Sequence, residues 1–197
     1  PEKAGASSYE VRIPVKNMKT NVNKTVQINT PYLNVAINTD VAWEKSTADT
    51  SVFCIRVSQR NDDITVSTEV DAAPITVKGA VVTVSPEIYD GQREGQILLE
   101  TAGPDWQICK NAYYQKGAIS AEVVLPSVLR TRYAENKFKD LTAVLWAEAE
   151  IEALAARGII GGTSPDTFDP NAKITRADYV ALLVRTLGLS VEPEQAG

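Results

Sequence analysis

Arg176 is the residue whose type and position are best suited to binding an anion. It follows Thr175, a good helix N-cap, and Asp178 completes a short form of the capping box. A cation in a first helical turn is unfavourable by about 0.3–1 kcal/mol, because the helix dipole favours anions there. An arginine beside unpaired backbone N–H groups would instead grip a carboxylate or a phosphate. The alternative is a surface arginine paired with Asp140 or another carboxylate, which contributes little.

The other polar residues do not form a recognisable catalytic site. The chain has no histidine, so the common zinc sites and the Ser-His and Cys-His nucleophiles cannot be built. Glu87, Asp90 and Glu94 are acidic, but they lie in a turn-rich stretch without the spacing of a catalytic carboxylate pair. Two buried thiols are a simpler interpretation of Cys54 and Cys109 than a disulfide. We therefore expect no catalytic residue, no metal and no cofactor.

The composition is that of an ordinary globular chain with an acidic balance. A length of 197 residues allows one or two hydrophobic cores. The net charge of −5 and the pI of about 4.9 provide no basic field that would attract nucleic acid or anionic lipid. The sequence contains no apolar run approaching about 18 residues and begins with no signal-peptide pattern. We expect a soluble chain with no membrane span and no nucleic-acid partner.

Residues 9–124 alternate apolar and polar side chains with many β-branched residues, which is typical of half-buried strands. Val26 and Ile28 in one run, and Val35 and Ile37 in the next, predict a hairpin. Further strands are predicted at residues 10–15, 51–58, 63–69, 75–84, 96–101 and 119–125. Such short strands favour one β-sandwich, or two small β-modules divided near residues 60–63.

The pattern changes after Pro126. Residues 127–136 are charged and are expected to be irregular, and beyond them the apolar period becomes helical. We therefore predict an α+β chain with an N-terminal all-β, sandwich-like region and a small helical hairpin. The predicted parts are a β-rich domain at 1–133, a linker at 134–137, the helical unit at 138–190 and a tail or linker at 191–197.

Two helices are predicted in the C-terminal unit. The first spans about residues 143–157, and its glutamates lie mostly outside an apolar stripe. The second begins after Thr175, and its own stripe is expected to face the first helix. Gly158 and Gly188 end the two helices. The stripes consist of Ala147, Ile151, Leu154 and Ala155, and of Tyr179, Leu182, Leu183, Thr186 and Leu187. A lone hairpin of this size cannot bury both faces of its helices, so it needs neighbouring units.

The C-terminal unit resembles the S-layer homology (SLH) repeat. The resemblance is carried by Phe-Lys-Asp-Leu at 138–141, Arg-Gly-Ile-Ile-Gly-Gly at 157–162, Thr-Phe-Asp-Pro at 167–170 and Ile-Thr-Arg-Ala-Asp at 174–178. It implies an extracellular protein in the cell wall or S-layer of a Gram-positive-type bacterium. Repeats of this family occur in tandem and bind anionic secondary cell-wall polysaccharide non-covalently. One copy is visible, so either a parent protein carries further repeats, or the hairpin packs on the β-domain, or several copies of the chain associate.

The resemblance also implies roles for residues of this copy. Arg176 stands at the position of the ligand-binding arginine. Trp146 corresponds to an aromatic residue of the groove, and it either stacks on a sugar ring or anchors the start of the first helix. Asp140 bonds sugar hydroxyls or, more simply, caps that helix. Gly161 and Gly162 permit positive φ and close approach of a ligand, or simply form a tight turn.

This copy departs from the family's pattern at two places. Asp178 replaces the usual glutamate, which should preserve the helix cap with a shorter reach. Val144 and Leu145 precede the tryptophan, where many relatives have a polar or aromatic residue. The second change makes the groove less polar and weakens the binding expected from one copy.

Two functions remain open for the whole chain. The first is a non-enzymatic surface protein, anchored by the SLH repeat, whose β-domain is a spacer or display module. The alternative is that the β-domain is a carbohydrate-binding or accessory module of a larger surface glycoside hydrolase. In that case four aromatic residues, namely Trp43, Trp106, Tyr113 and Tyr114, would form a platform for sugar rings.

Overall fold

The computed structural model describes residues 8–40 and 48–189. The elements of the β-domain are β1 (Ser8–Pro14), α1 (Val15–Thr20), β2 (Thr25–Asn29), β3 (Asn34–Asn38), β4 (Val52–Arg60), β5 (Asp63–Val70), β6 (Ala73–Pro74), β7 (Val77–Val84), a 3₁₀ turn (Glu94–Gln96), β8 (Ile97–Thr101), β9 (Gln107–Ile108), β10 (Tyr113–Gln115), β11 (Ala118–Leu125) and β12 (Ser127–Tyr133). The helical unit contains a 3₁₀ turn (Leu141–Val144), α2 (Glu148–Ala156) and α3 (Arg176–Leu187).

Two antiparallel sheets enclose the core of the β-domain. One sheet has the order β1-β4-β5-β12-β8-β9, with β6 beside β5, and the other has the order β10-β11-β7-β3-β2. Buried side chains from both sheets, such as Val82 and Leu129, belong to one hydrophobic cluster. The α+β class with a sandwich-like β region is therefore confirmed. Residues 60–63 form the turn of the β4–β5 hairpin, in which Arg60 lies opposite Asp63.

The predicted strands coincide with strands of the structure wherever the apolar residues alternate clearly. In the β2–β3 hairpin, Val26 lies opposite Ile37 and Ile28 lies opposite Val35. Ile28, Val35 and Ile37 are buried in the common core, because side chains two apart in a strand point to the same face. The six further predicted strands correspond to β1, β4, β5, β7, β8 and β11.

The expectation that residues 127–136 are irregular is wrong for residues 127–133, which form β12 between β5 and β8 in the larger sheet, and is confirmed for residues 134–136. The Nε of Arg130 and the Nη2 of Arg132 each lie 2.7 Å from a carboxylate oxygen of Glu100 on β8. Burial of Glu100 would raise its pKa, but the hydrogen bonds from Arg132 and Arg130 outweigh burial and lower the pKa. This charge pairing allows a strand rich in arginine to lie inside the sheet.

The first predicted strand also ends earlier than expected. Its prediction ran to Val15, but β1 ends at Pro14 and α1 begins at Val15. Val15 and Met18 are buried in the main cluster, so one side of this short helix serves the core of the sandwich.

Both cysteines are free thiols. Burial raises the pKa of Cys54, and it raises the pKa of Cys109 to about 11. Since the thiolate is the reactive form of cysteine, neither thiol is activated for nucleophilic chemistry near neutral pH.

Candidate functional site

Arg176 occupies the first position of α3, above a complete capping box. The Oγ1 of Thr175 accepts the backbone N–H of Asp178 at 3.1 Å, and the Oδ2 of Asp178 accepts the backbone N–H of Thr175 at 2.8 Å. The backbone N–H and the hydroxyl of Thr175 lower the pKa of the Asp178 carboxyl. The predicted capping roles of Thr175 and Asp178 are therefore confirmed. The box uses the amides of these two residues and leaves those of Arg176 and Ala177 at the helix tip.

The side chain of Arg176 is exposed to solvent. Within residues 8–40 and 48–189, no salt bridge involves Arg176. In particular, the pairing with Asp140 that the sequence left open is not formed, because Asp140 bonds to backbone amides instead. An exposed guanidinium beside two unused amide donors is an arrangement that can accept a carboxylate or a phosphate.

Asp140 organises the loop between the helices rather than capping a helix. Its Oδ1 accepts the backbone N–H of Phe168 at 2.9 Å, and its Oδ2 accepts that of Asp169 at 2.7 Å. Its side chain makes no capping bond to the 3₁₀ turn that follows it, so the predicted capping role is wrong. The amide of Phe168 and then that of Asp169 lower the pKa of the Asp140 carboxyl below its ordinary value of 3.8.

This arrangement predicts how the loop responds to acid. A carboxyl whose pKa is lowered by folding adds stability above its ordinary pKa, and this stability is lost as the pH falls through the lowered value. In NMR titrations of Asp166→Asn, which removes a neighbouring carboxyl, the amide shifts of Phe168 and Asp169 should change with a midpoint below 3.8. Adding Asp140→Asn should abolish the change at Phe168, which has no carboxyl of its own. A midpoint at or above the ordinary value would contradict the hydrogen bonds described.

Gly161 and Gly162 differ in what they do. Neither has a positive φ, so the left-handed conformation that glycine permits is used at neither position. A Cβ on Gly162 would lie 2.3 Å from the carbonyl oxygen of Thr167 and 2.7 Å from the ring of Phe138, whereas a Cβ on Gly161 would meet nothing within 4 Å. Gly162 is therefore required for close packing of the loop, and Gly161 leaves open space. By contrast, Gly158 and Gly188 have φ of +66° and +63°, which confirms both predicted helix ends.

Trp146 lies just before α2 with 85% of its surface exposed. It is therefore not a packing anchor of the helix, and its ring is open to a ligand. Phe138 does pack, since it is 8% exposed and its ring centroid lies 5.4 Å from that of Phe168. The structure thus brings Asp140 and Gly162 together around one loop. In the described part of the chain, no hydrogen bond, ion pair or ring contact joins Arg176 or Trp146 to that loop.

The first helix is shorter than predicted and buries a different face. A 3₁₀ turn occupies residues 141–144, and α2 starts at Glu148. Glu152, expected outside the apolar stripe, is 1% exposed and is the buried residue of α2. Its Oε2 lies 2.6 Å from the Nη1 of Arg93 and 3.0 Å from the Nε2 of Gln96. We call this set, together with Glu148 bonded to the Nη2 of Arg93 at 3.0 Å, the junction cluster.

The junction cluster joins the helical unit to the β-domain, and the sequence analysis missed it. Gln96 also donates to the carbonyl of Asn136 and accepts the hydroxyl of Tyr133. The one available signal was the complementary charge of an arginine and two glutamates more than fifty residues away. Such a signal becomes specific only when the fold brings the groups together.

The apolar stripe of α3 is not covered by α2, contrary to the expectation of two facing stripes. No residue of α3 is buried. The exposed apolar residues in and beside α3 are Ile174, Tyr179, Val180, Leu183, Val184, Leu187 and Leu189. Arg185 bonds to the carbonyl of Ile159 at 3.3 Å, so α3 is tied to the unit near its C-terminal end. An apolar face of this extent typically marks an interaction surface.

The predicted aromatic platform does not form from the residues that the structure describes. Trp43 lies outside the described residues. The guanidinium of Arg130 lies 4.0 Å from the ring centroid of Trp106 and covers one of its faces. Tyr114 packs against the main core, whereas Tyr113 is 54% exposed. Of the three predicted platform residues that the structure describes, Tyr113 alone has a largely exposed ring.

Residues 137–180 match the family model described as the S-layer homology domain. This match confirms the resemblance found from the sequence and places the C-terminal unit among the anchoring domains of cell walls. The SLH domain is an anchoring and not a catalytic domain. No described helix is both long enough and apolar enough to cross a membrane.

The chain is also similar to parts of much longer proteins. It is 50% identical over 42 residues to a cellulosome-anchoring protein of Acetivibrio thermocellus, which is 21% of this chain and 9% of that protein. It is 40% identical over 63 residues to the outer membrane protein SlpA of Thermus thermophilus, 32% of this chain and 7% of that protein. The chain thus spans less than a tenth of either relative.

A third similarity covers more than half of the chain. The chain is 26% identical over 118 residues to the exoglucanase XynX of Acetivibrio thermocellus, which is 59% of this chain and 10% of that protein. The aligned stretch is longer than the 64 residues that follow the β-domain (197 − 133 = 64), so it includes part of that domain. No solved structure matches the chain.

Proposed function

We propose that this chain belongs to a non-enzymatic cell-surface protein whose SLH domain binds anionic secondary cell-wall polysaccharide. The observation that carries the proposal is the exposed Arg176 beside the unused amides at the start of α3. The acidic groups of such a polymer are the ligands that an arginine and a helix N-terminus favour. Trp146, with its exposed ring, is proposed to stack on a neighbouring sugar.

Gly161, Gly162 and Asp140 are proposed to support the binding groove. Gly161 has open space around it and allows a ligand to approach the backbone. Gly162 and Asp140 shape the loop through packing and hydrogen bonds. The names of the cellulosome-anchoring protein and of SlpA support a location at the cell surface, in the wall or S-layer.

The exposed face of α3 supports a further part of the proposal. A helix with no buried residue needs another apolar surface to cover it. Further SLH repeats in a parent protein, or a second copy of this chain, would supply such a surface. Several weak sites along one polymer would then act together, so the strength of anchoring depends on the number of repeats.

The role of Arg176 can be tested by retention on purified cell walls. The chain is displayed in many copies on beads, because multivalency compensates for weak single sites. Arg176→Ala should reduce the retained amount about fivefold, since it removes a charge-assisted contact at an exposed site. Arg176→Lys keeps the charge but loses the planar two-point grip, so it should restore retention only in part.

Lys173→Ala is the matched control for this experiment. It removes one positive charge from an exposed position near the same helix start. It should change retention little, because we place binding in the geometry at Arg176 and not in the general charge. Equal retention by the wild-type chain and by Arg176→Ala would rule out the proposed site.

Within this proposal the β-domain, residues 1–133, is a spacer or display module, joined at 134–137 to the SLH unit. The second candidate is that it is an accessory module of a larger glycoside hydrolase. The observation that favours this candidate is the similarity to exoglucanase XynX, which includes part of the β-domain.

A further inference from the structure

The β-domain contains a cleft that anchoring does not use, and we propose that this cleft binds a neutral oligosaccharide. It lies where the β2–β3 turn, the β4–β5 turn and the segment between β7 and β8 come together. Its volume is about 630 Å³, within the roughly 300–1,000 Å³ that is usual for ligand sites. The inference deepens the second candidate function and does not depend on Arg176.

The cleft has an apolar floor and aromatic walls. Ile64, Val84 and Ile97 line it and are at most 5% exposed, so they form its closed side. Tyr32 and Tyr89 line it as well. A tyrosine offers a flat apolar ring with a polar edge. This combination suits a sugar, which has C–H groups on the faces of its ring and hydroxyls around the rim.

Tyr89 is held in place before any ligand arrives. Its backbone N–H donates to the Oε1 of Gln92 at 3.1 Å, and the backbone N–H of Gln92 donates to the carbonyl of Tyr89 at 3.0 Å. The hydroxyl of Tyr89 donates to the Oε2 of Glu87 at 2.9 Å. The bond from the hydroxyl orients the side chain, 63% of whose surface is exposed, and the other two bonds fix the turn that carries it. Binding therefore requires little further ordering of this wall.

The polar groups of the cleft favour a neutral ligand. Gln59 and Asn61 offer amide donors and acceptors, which match hydroxyl groups. Asp62 and Glu87 contribute two negative charges to the lining against the one positive charge of Arg132, which gives 1 − 2 = −1. The excess negative charge disfavours an acidic polymer. The ligand class thus differs from the anionic polysaccharide proposed for the SLH domain.

Isothermal titration calorimetry on the full chain tests this inference. The probes are cellohexaose, xylohexaose and maltohexaose as neutral sugars, hexagalacturonate as an acidic sugar and a proline-rich decapeptide as a non-sugar. We expect saturable binding of at least one neutral hexasaccharide. Tyr89→Ala should weaken it about tenfold, because the stacking wall is lost. Tyr89→Phe keeps the ring and should bind within about threefold of the wild-type chain.

Two controls make the outcomes distinct. Tyr113→Ala removes an exposed tyrosine outside the cleft and should leave the affinity unchanged. Arg176→Ala should also leave it unchanged, so a failure here is separable from a failure of wall binding. The inference is overturned if no neutral sugar saturates, if Tyr89→Ala binds like the wild-type chain, or if the acidic sugar or the peptide binds more tightly.

Discussion

Gly162→Ala should destabilise the loop between the helices by about 3 kcal/mol, near the upper end of typical overpacking costs. The new Cβ would lie 2.3 Å from the carbonyl oxygen of Thr167. It would also lie 2.7 Å from the carbonyl oxygen of Ser164 and 2.7 Å from the ring of Phe138. Two of these three neighbours are backbone atoms, which cannot move aside as the end of a flexible side chain can. Ser164 and Thr167 are also bonded to each other through their backbones, so the clash falls on an already closed turn.

Amide hydrogen exchange locates the effect, because local opening and global unfolding affect different sets of amides. The amides of Phe168 and Asp169, which donate to Asp140, should lose protection by about a hundredfold or more in Gly162→Ala, since about 1.4 kcal/mol corresponds to a factor of ten. Amides of the β2–β3 hairpin should exchange at the same rate as in the wild-type chain, because that hairpin belongs to the separate core of the sandwich.

The adjacent glycine provides the matched control. A Cβ on Gly161 meets nothing within 4 Å, and its φ is not left-handed. Gly161→Ala should therefore be neutral or stabilising by up to about 1 kcal/mol, because it restricts the unfolded chain. If the loop amides are equally protected against exchange in the two alanine variants, the packing described around Gly162 is incorrect. If Gly161→Ala instead weakens wall retention without changing protection, open space at that position serves the ligand.

Local rules account for the features that the sequence predicted correctly. The capping box of Thr175 and Asp178 and the left-handed Gly158 and Gly188 depend on residues within one helical turn. The β2–β3 hairpin depends on side-chain alternation across a short turn. In each case the interacting groups are close in sequence, so the residue pattern is sufficient.

Three of the wrong predictions share a different cause, because each involves a charged group whose partner is distant in the chain. The arginines of β12 predicted an irregular segment, but Glu100 on the neighbouring strand β8 pairs with both of them. Glu152 was expected in solvent but meets Arg93, and Asp140 binds loop amides rather than a helix end. A charge in a sequence indicates exposure by default. Only the fold reveals that a partner offsets the cost of burying it.

Arg93→Ala should weaken the attachment of α2 to the β-domain by about 2 kcal/mol. The carboxylate of Glu152 is 1% exposed and would keep only its hydrogen bond from Gln96. The full cost of a broken buried ion pair is not expected, because the Arg93 side chain is 41% exposed and solvent screens part of its charge. The physical origin of the effect is a buried negative charge left without its main partner.

A double-mutant cycle with Glu152→Ala separates this pairing from a general loss of packing. If the pair acts as described, removing both partners should cost less than the sum of the two single changes, with a coupling of about 1–2 kcal/mol. Arg93→Met combined with Glu152→Leu replaces the ion pair by apolar side chains of similar size, but it should still cost about 1–2 kcal/mol, because the buried amide of Gln96 loses one of its two acceptors. Arg60→Ala, at the turn of the β4–β5 hairpin, is the control and should stay within about 0.5 kcal/mol.

Amide hydrogen exchange in α2 and at Ala134 measures how firmly α2 is attached to the β-domain. The amides of α2 should lose protection in Arg93→Ala, and so should the amide of Ala134, which donates to the carbonyl of Gln96. Amides in the β4–β5 hairpin should not change. Additive costs in the cycle, or unchanged protection of α2, would show that the junction cluster does not hold the SLH domain on the sandwich. If the coupling is found, the β-domain fixes the orientation of the SLH domain, and with it the direction in which Arg176 and the exposed apolar face of α3 point. The β-domain would then orient the SLH domain in addition to spacing it.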